Sequence, residues 1–123
     1  MPTKEIPLSE WVTYFDQFSR QHEGWRATVE VLGSEIGAET EAREKPLMGI
    51  TADLKDQERA ISIILGSKGS EHLTHTVFNP KSVRIKQSEM GADEALAIES
   101  NEGTTTILTF RSPMRTEMLD EMP

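Results

Sequence analysis

Residues 72–87, HLTHTVFNPKSVRIKQ, restrict the fold more than any other stretch of the chain. Leu73, His75 and Val77 fall on one face of a first alternating run, and Val83, Ile85 and Gln87 on one face of a second. Between the runs stands Asn79-Pro80. Proline brings no N–H to a ladder and turns the residue before it away from helix, so the spacing predicts strand, turn, strand at the centre of the chain. The remaining elements are then expected to cover this ribbon.

Upstream, Leu8 to Gly24 is predicted as a helix. Trp11, Tyr14, Phe15 and Phe18 recur at three and four residues and make one aromatic stripe. Ser9 is placed to cap its start, and Gly24 to close its end in a left-handed conformation. His22 falls in the last turn, where the partial negative charge of the helix favours an imidazolium. From Trp25 to Leu32 apolar and polar residues alternate strictly, predicting a half-buried antiparallel strand. Residues 39–45 alternate in charge and predict an exposed edge strand or a loop arm. Met48, Ile50, Ala52 and Leu54 share a face of the next strand, with Gly49 marking a bulge or a close backbone approach. Ala60 to Leu65 is apolar on nearly both faces, as a central strand would be. Ala95 to Glu99 and Thr105 to Phe110 flank Asn101-Glu102-Gly103 and predict a closing hairpin.

One helix followed by six or seven antiparallel strands is an α+β pattern, and it closes most readily into a strongly bent sheet or a small Sm-like or SH3-like barrel. The expected core is Trp11, Phe15, Phe18, Trp25, Val29, Ile50, Ile63, Val77, Val83, Ile85, Ile98, Ile107 and Phe110. With 123 residues and no cysteine, the chain is expected to be one domain over residues 1–112, built without disulfides, with a flexible tail over residues 113–123. No apolar run approaches the length of a membrane helix and the first residues lack a signal-peptide pattern, so a cytoplasmic location with no membrane association is expected.

The net charge is −8. It divides as −5 over residues 1–44, +3 over 45–86 and −6 over 87–123. An acidic surface repels a phosphate backbone, which argues against nucleic acid as a general partner. The middle segment can still present a local basic face. Ser82, Arg84 and Lys86 alternate with Val83 and Ile85, and Lys81 precedes them, so Lys81, Arg84 and Lys86 form the candidate binding row. Its structural alternative is cross-strand pairing with acids such as Glu94 or Glu99.

Catalytic and metal signatures are absent. His72 and His75 are three apart, which on a strand points them to opposite faces and prevents both from reaching one ion. Asp53, Asp56 and Glu58 lie in a turn whose spacing lacks the alternating oxygens of a calcium loop. No phosphate loop, nucleophile elbow or H-E-x-x-H occurs. Neither catalytic residue, metal site nor cofactor is therefore assigned.

Gly24-Trp25 with its alternating strand, Pro46-Leu47-Met48-Gly49-Ile50, Leu73-Thr74-His75 before Asn79-Pro80, Ile98-Glu99-Ser100 and Gly103-Thr104 together resemble a family of small bacterial proteins catalogued only as a domain of unknown function. The resemblance covers nearly the whole chain and implies a single domain, often acidic, with no assigned activity. A second set, Leu47-Met48-Gly49-Ile50 with Asp53, then Ile61 to Leu65, then Leu73 to Ile85, is similar to the order of apolar, glycine and acidic positions in Sm-like barrels. There Asn79-Pro80-Lys81-Ser82 replaces the Arg-Gly pair that contributes to RNA binding in that family. Three functions follow as expectations. The first is a noncatalytic interaction module with a protein partner, since apolar patterning is well specified while catalytic motifs are missing. The second is an Sm-like oligomeric RNA-binding protein, which needs the basic row exposed and unpaired. The third is a small ligand-binding protein or hydrolase, which needs a pocket holding His75.

Overall fold

The computed structural model describes residues 3–55, 58–66 and 72–110. The aromatic stripe folds as expected: α1 (Trp11–His22) buries Trp11, Phe15 and Phe18. Each such side chain contributes about 1.5–3 kcal/mol by leaving water. The start of the helix differs. Leu8–Glu10 is a 3₁₀ turn in which the Glu10 N–H donates to the Pro7 carbonyl over 2.9 Å, and no side chain caps either element. Ser9 therefore lies inside the turn and is not the cap, because Pro7, which has no N–H to satisfy, opens it. At the other end Gly24 has φ +87°, the left-handed closure expected there.

Eight strands accompany the helix among the described residues: β1 (Thr3–Glu5), β2 (Arg26–Gly33), β3 (Gly37–Asp53), β4 (Ala60–Leu65), β5 (Leu73–Phe78), β6 (Pro80–Gln87), β7 (Asp93–Ser100) and β8 (Thr104–Phe110). All pair antiparallel, in the order β1-β6-β7-β8-β2-β3-β4-β5. The class is α+β, but the ladder has two ends and does not close into a barrel of six or seven strands. The reason lies at β6. The edge that a closing strand would need is occupied by β1, with Thr3 opposite Lys86 and Glu5 opposite Arg84.

The central stretch is two strands with a turn, yet not a paired ribbon. β5 pairs with β4 while β6 pairs with β7 and β1, so the two runs belong to distant parts of the ladder. Asn79 alone makes the corner, at φ +54°, a conformation asparagine tolerates better than most residues. The corner is tied down from the β7–β8 turn. Ser100 Oγ donates to the Phe78 carbonyl (2.7 Å), the Asn101 N–H to the Asn79 carbonyl (2.8 Å), and Asn79 Nδ2 to Glu102 (2.9 Å).

β3 is long because it changes partners. Residues 37–46, including the charged stretch 39–45, pair with β2, while from Leu47 onward the strand pairs with β4. Where β2 departs, α1 takes its place along the vacated edge. Ser19 Oγ accepts the Ile50 N–H (2.8 Å), and its one hydrogen has the carbonyls of Phe15 (2.7 Å) and Ile50 (3.1 Å) within reach, so a helix hydroxyl satisfies a strand edge. Of the two alternatives for Gly49 the bulge holds: the register slips between Leu47 and Gly49, while a Cβ there would meet Ser19 Oγ at 3.6 Å, an ordinary contact.

Eleven of the thirteen expected core residues are buried; Trp25 and Ile107 are only half-buried. Trp25 lies at the margin, its ring 4.4 Å from that of His22 and 5.2 Å from that of Phe110. For Ile107 the cause is strand periodicity. Thr106, Leu108 and Phe110 point inward from β8, so Ile107 must point out.

Candidate functional site

The same periodicity builds a second surface on the ladder β1-β6-β7-β8-β2. Val83 and Ile85 on β6, Leu96 and Ile98 on β7, Leu108 on β8, and Val29 and Val31 on β2 face the core. The intervening residues face away from it. In one row across the strands Glu5, Arg84, Ala97, Ile107 and Glu30 stand side by side; in the next, Lys86, Ala95, Thr109 and Thr28. Residues paired in register share a face, so each row is a continuous line of side chains. Among the described residues no other helix or strand packs across this face.

Its basic residues lie on one side, where Glu5 and Glu99 flank Arg84. Arg84 and Lys86 lie on β6, Glu30 on β2, and the middle strands carry Ala95, Ala97, Ile107 and Thr109. Over β2, β3 and β8 the surface sinks into an open depression of about 420 Å³ lined by Thr28, Glu30, Glu44, Thr109 and Phe110. Glu44 is held there by the bulge in β3, at φ +50°, its N–H donated to Thr28 Oγ1 over 3.1 Å.

The basic row expected from the sequence is therefore only partly a row. Arg84 lies 3.7 Å from Glu99, whose carboxylate also accepts a 2.8 Å hydrogen bond from Ser82. The Ser82 hydrogen bond, with the charges of Arg84 and Lys81 beside it, holds the Glu99 carboxyl below its ordinary value despite the opposing effect of desolvation. Cross-strand pairing thus accounts for Arg84. Lys81 and Lys86 are exposed, and neither forms an ion pair among the described residues. The slip between Pro80 and Ser82 sets Lys81 apart from the other two.

A buried histidine–carboxylate pair lies on the opposite side of the ladder. His22, only 3% exposed, is stacked between Phe18 (centroids 4.2 Å apart) and Phe110 (4.9 Å). Its Nδ1 is 2.8 Å from the Phe18 carbonyl and its Nε2 is 3.1 Å from the Asp93 carboxylate, which also accepts 2.8 Å from Gln87 Nε2. Burial pushes the Asp93 carboxyl upward, but the hydrogen bonds of His22 and Gln87 and the charges of His22 and Lys4 outweigh it and hold the group below its ordinary value. Both ring nitrogens of His22 are thus within hydrogen-bond distance of an oxygen. Burial, with the Asp93 charge adding to it, also keeps the Tyr14 phenol neutral well above its usual range. The expectation for His22 concerned only its helix end; its partner Asp93, seventy-one residues later, left no local signal.

The other histidines stay apart. His72 is exposed just ahead of β5, while His75 is half-buried with Nε2 3.4 Å from Thr106 Oγ1. Asp53 accepts the Lys55 N–H in its own turn (3.2 Å), and Asp56 lies outside the described residues. Among the described residues no group of three or more His, Cys, Asp or Glu could hold a metal ion, and no helix is long and apolar enough to cross a membrane.

Comparison with known proteins agrees with the family resemblance in the sequence. The model of the Family of unknown function (DUF5335) matches residues 2–119. An uncharacterized protein of Aquifex aeolicus (strain VF5) is 30% identical over 111 residues, covering 90% of this chain and 94% of that protein. No solved structure matches.

Proposed function

This chain belongs to the family of unknown function whose model spans it, and on that premise we propose that it is a noncatalytic interaction module whose contact surface is the outer face of the β1-β6-β7-β8-β2 ladder. One observation carries the proposal. Ala95, Ala97 and Ile107 form a small apolar centre on a broad strand face, rimmed by Arg84, Lys86, Glu30 and Glu99, with no described element across it. An apolar centre within a charged rim is the usual anatomy of a protein contact surface. The one buried histidine supports the noncatalytic half of the reading, since both of its ring nitrogens are engaged and neither can serve a substrate. A protein partner suits this face better than RNA, because Arg84 is paired with Glu99 and the chain is acidic.

Site-specific photo-crosslinking in the native cell tests the reading. A photoreactive residue at Ala97 is expected to give discrete protein adducts, and the same residue at exposed Thr51 on β3 is expected to give none. Adducts at neither position, or equally at both, would sink it.

A further inference from the structure

We propose that the partner of this face is a second copy of the same chain, bound face to face about a twofold axis running along the strands between β7 and β8. The inference rests on the reading of the face as an interaction surface and adds the identity of what covers it.

The strand order makes the face self-complementary. An axis between β7 and β8, lying in the plane of contact, exchanges β7 with β8 and β6 with β2 between the copies, and it leaves each cross-strand row opposite itself. In the central row, Arg84 then faces Glu30 of the second copy, Ala97 faces Ile107, and both pairs occur twice. In the next row, Lys86 faces Thr28 at the mouth of the depression lined by Thr28, Glu30, Glu44 and Thr109, so a cation meets a hollow with carboxylates in its wall. The charges fit this use. Neither Lys86 nor Glu30 has an ion-pair partner among the described residues. The Arg84 side chain, 48% exposed, contacts Glu99 only at 3.7 Å and keeps donors for a second carboxylate. Two aligned sheets cross at about 30°, which preserves these oppositions near the axis and loosens them at the margins.

Size sets the strength. Four strands about 4.8 Å apart and about seven residues long, with the three residues of β1, give a face of roughly 500 Å² per copy, or about 1,000 Å² in all, the threshold for a specific interface. A reversible dimer sensitive to salt is therefore expected, since opposed surface charges are screened.

Sedimentation velocity of the full chain, across a hundredfold range of concentration at low and high salt, measures it. The expected result is a monomer–dimer equilibrium that salt weakens. Glu30→Arg and Arg84→Glu should each weaken dimerisation at least about tenfold, because each sets like charges together twice. The double variant should recover it, since the opposed pairs are restored with reversed sign. If a charge reversal lowers the thermal midpoint, Ile107→Glu, on the outward side of β8, is read in its place and should leave a monomer. A wild-type monomer at the highest concentration overturns the proposal. So do single variants or Ile107→Glu that dimerise like wild type, and so does a folded double variant that stays monomeric. The Ala97 crosslinks separate the two levels: adducts to another protein with a monomeric chain overturn self-association alone, while the absence of adducts removes the surface as well.

Discussion

Removing the Asp93 carboxylate tests the buried pair most directly. His22 is 3% exposed and Asp93 is 14% exposed in its side chain. Asp93→Ala leaves His22 Nε2 and the amide of Gln87 without their partner, inside an aromatic cage that water does not reach readily. Losing the partner of a buried polar group costs about 1–3 kcal/mol, and two groups lose theirs here, which places this case near 3. Asp93→Asn is milder, at about 1 kcal/mol, because its side chain still reaches His22 Nε2 and its carbonyl still accepts from Gln87. Urea unfolding at pH 7 reads both values. Equal losses for the two variants, or a loss under about 0.5 kcal/mol for Asp93→Ala, would refute the buried His22–Asp93 contact. The pH dependence adds a check of sign. The carboxyl sits lower in the folded than in the unfolded chain, so its stabilisation is complete above the unfolded value, about 3.9, and is lost as pH falls through the lower folded one. The gap between wild type and Asp93→Ala should narrow below about pH 4.

Other perturbations probe separate joints. Ser19→Ala should cost about 1–2 kcal/mol in urea unfolding, since it strips the Ile50 N–H of its acceptor where β2 leaves β3. Leu108→Ala should cost about 2–5 kcal/mol and Ile107→Ala less than about 1, a contrast that reports which side of β8 faces the core. At the corner, Asn79→Gly should be nearly neutral and Asn79→Val should cost about 1–2 kcal/mol, because a β-branched residue resists φ +54°. The Tyr14 phenol is held neutral in the fold, so its stabilisation is present below the unfolded value near 10 and lost as pH rises beyond it; Tyr14→Phe should flatten that alkaline decline in a thermal-midpoint series.

What the sequence reveals and what it hides divide along physical lines. Period-two alternation placed Val83, Ile85 and Ile98 in the core because it depends only on neighbours along the strand. It also excludes Ile107 once Phe110 is assigned inward, since the two are three residues apart. Partner choice is not local. Nothing between Leu73 and Gln87 says that β5 and β6 pair with different strands, or that β1, three residues long, takes the edge a barrel would close on. The basic row was legible as alternation, but its pairing with Glu99 depends on register across a turn, and the acidic side of the face depends on β8 bringing β2 next to β7. The His22–Asp93 contact arises the same way, through a helix end meeting a hairpin base.

The pairing of β2 with β8 has a kinetic consequence. Strands β2 to β5 form one meander and β6 to β8 another, each joined by connections between strands adjacent in the chain. Among the described residues β2–β8 is the strand ladder that unites them, and it sets Ala27 opposite Phe110. Closing so large a loop costs entropy before any contact repays it. The two meanders can zip early, and the search for that one junction sets the pace of folding. Weakening side-chain contacts across it should slow refolding, while equal damage within either meander should mainly hasten unfolding.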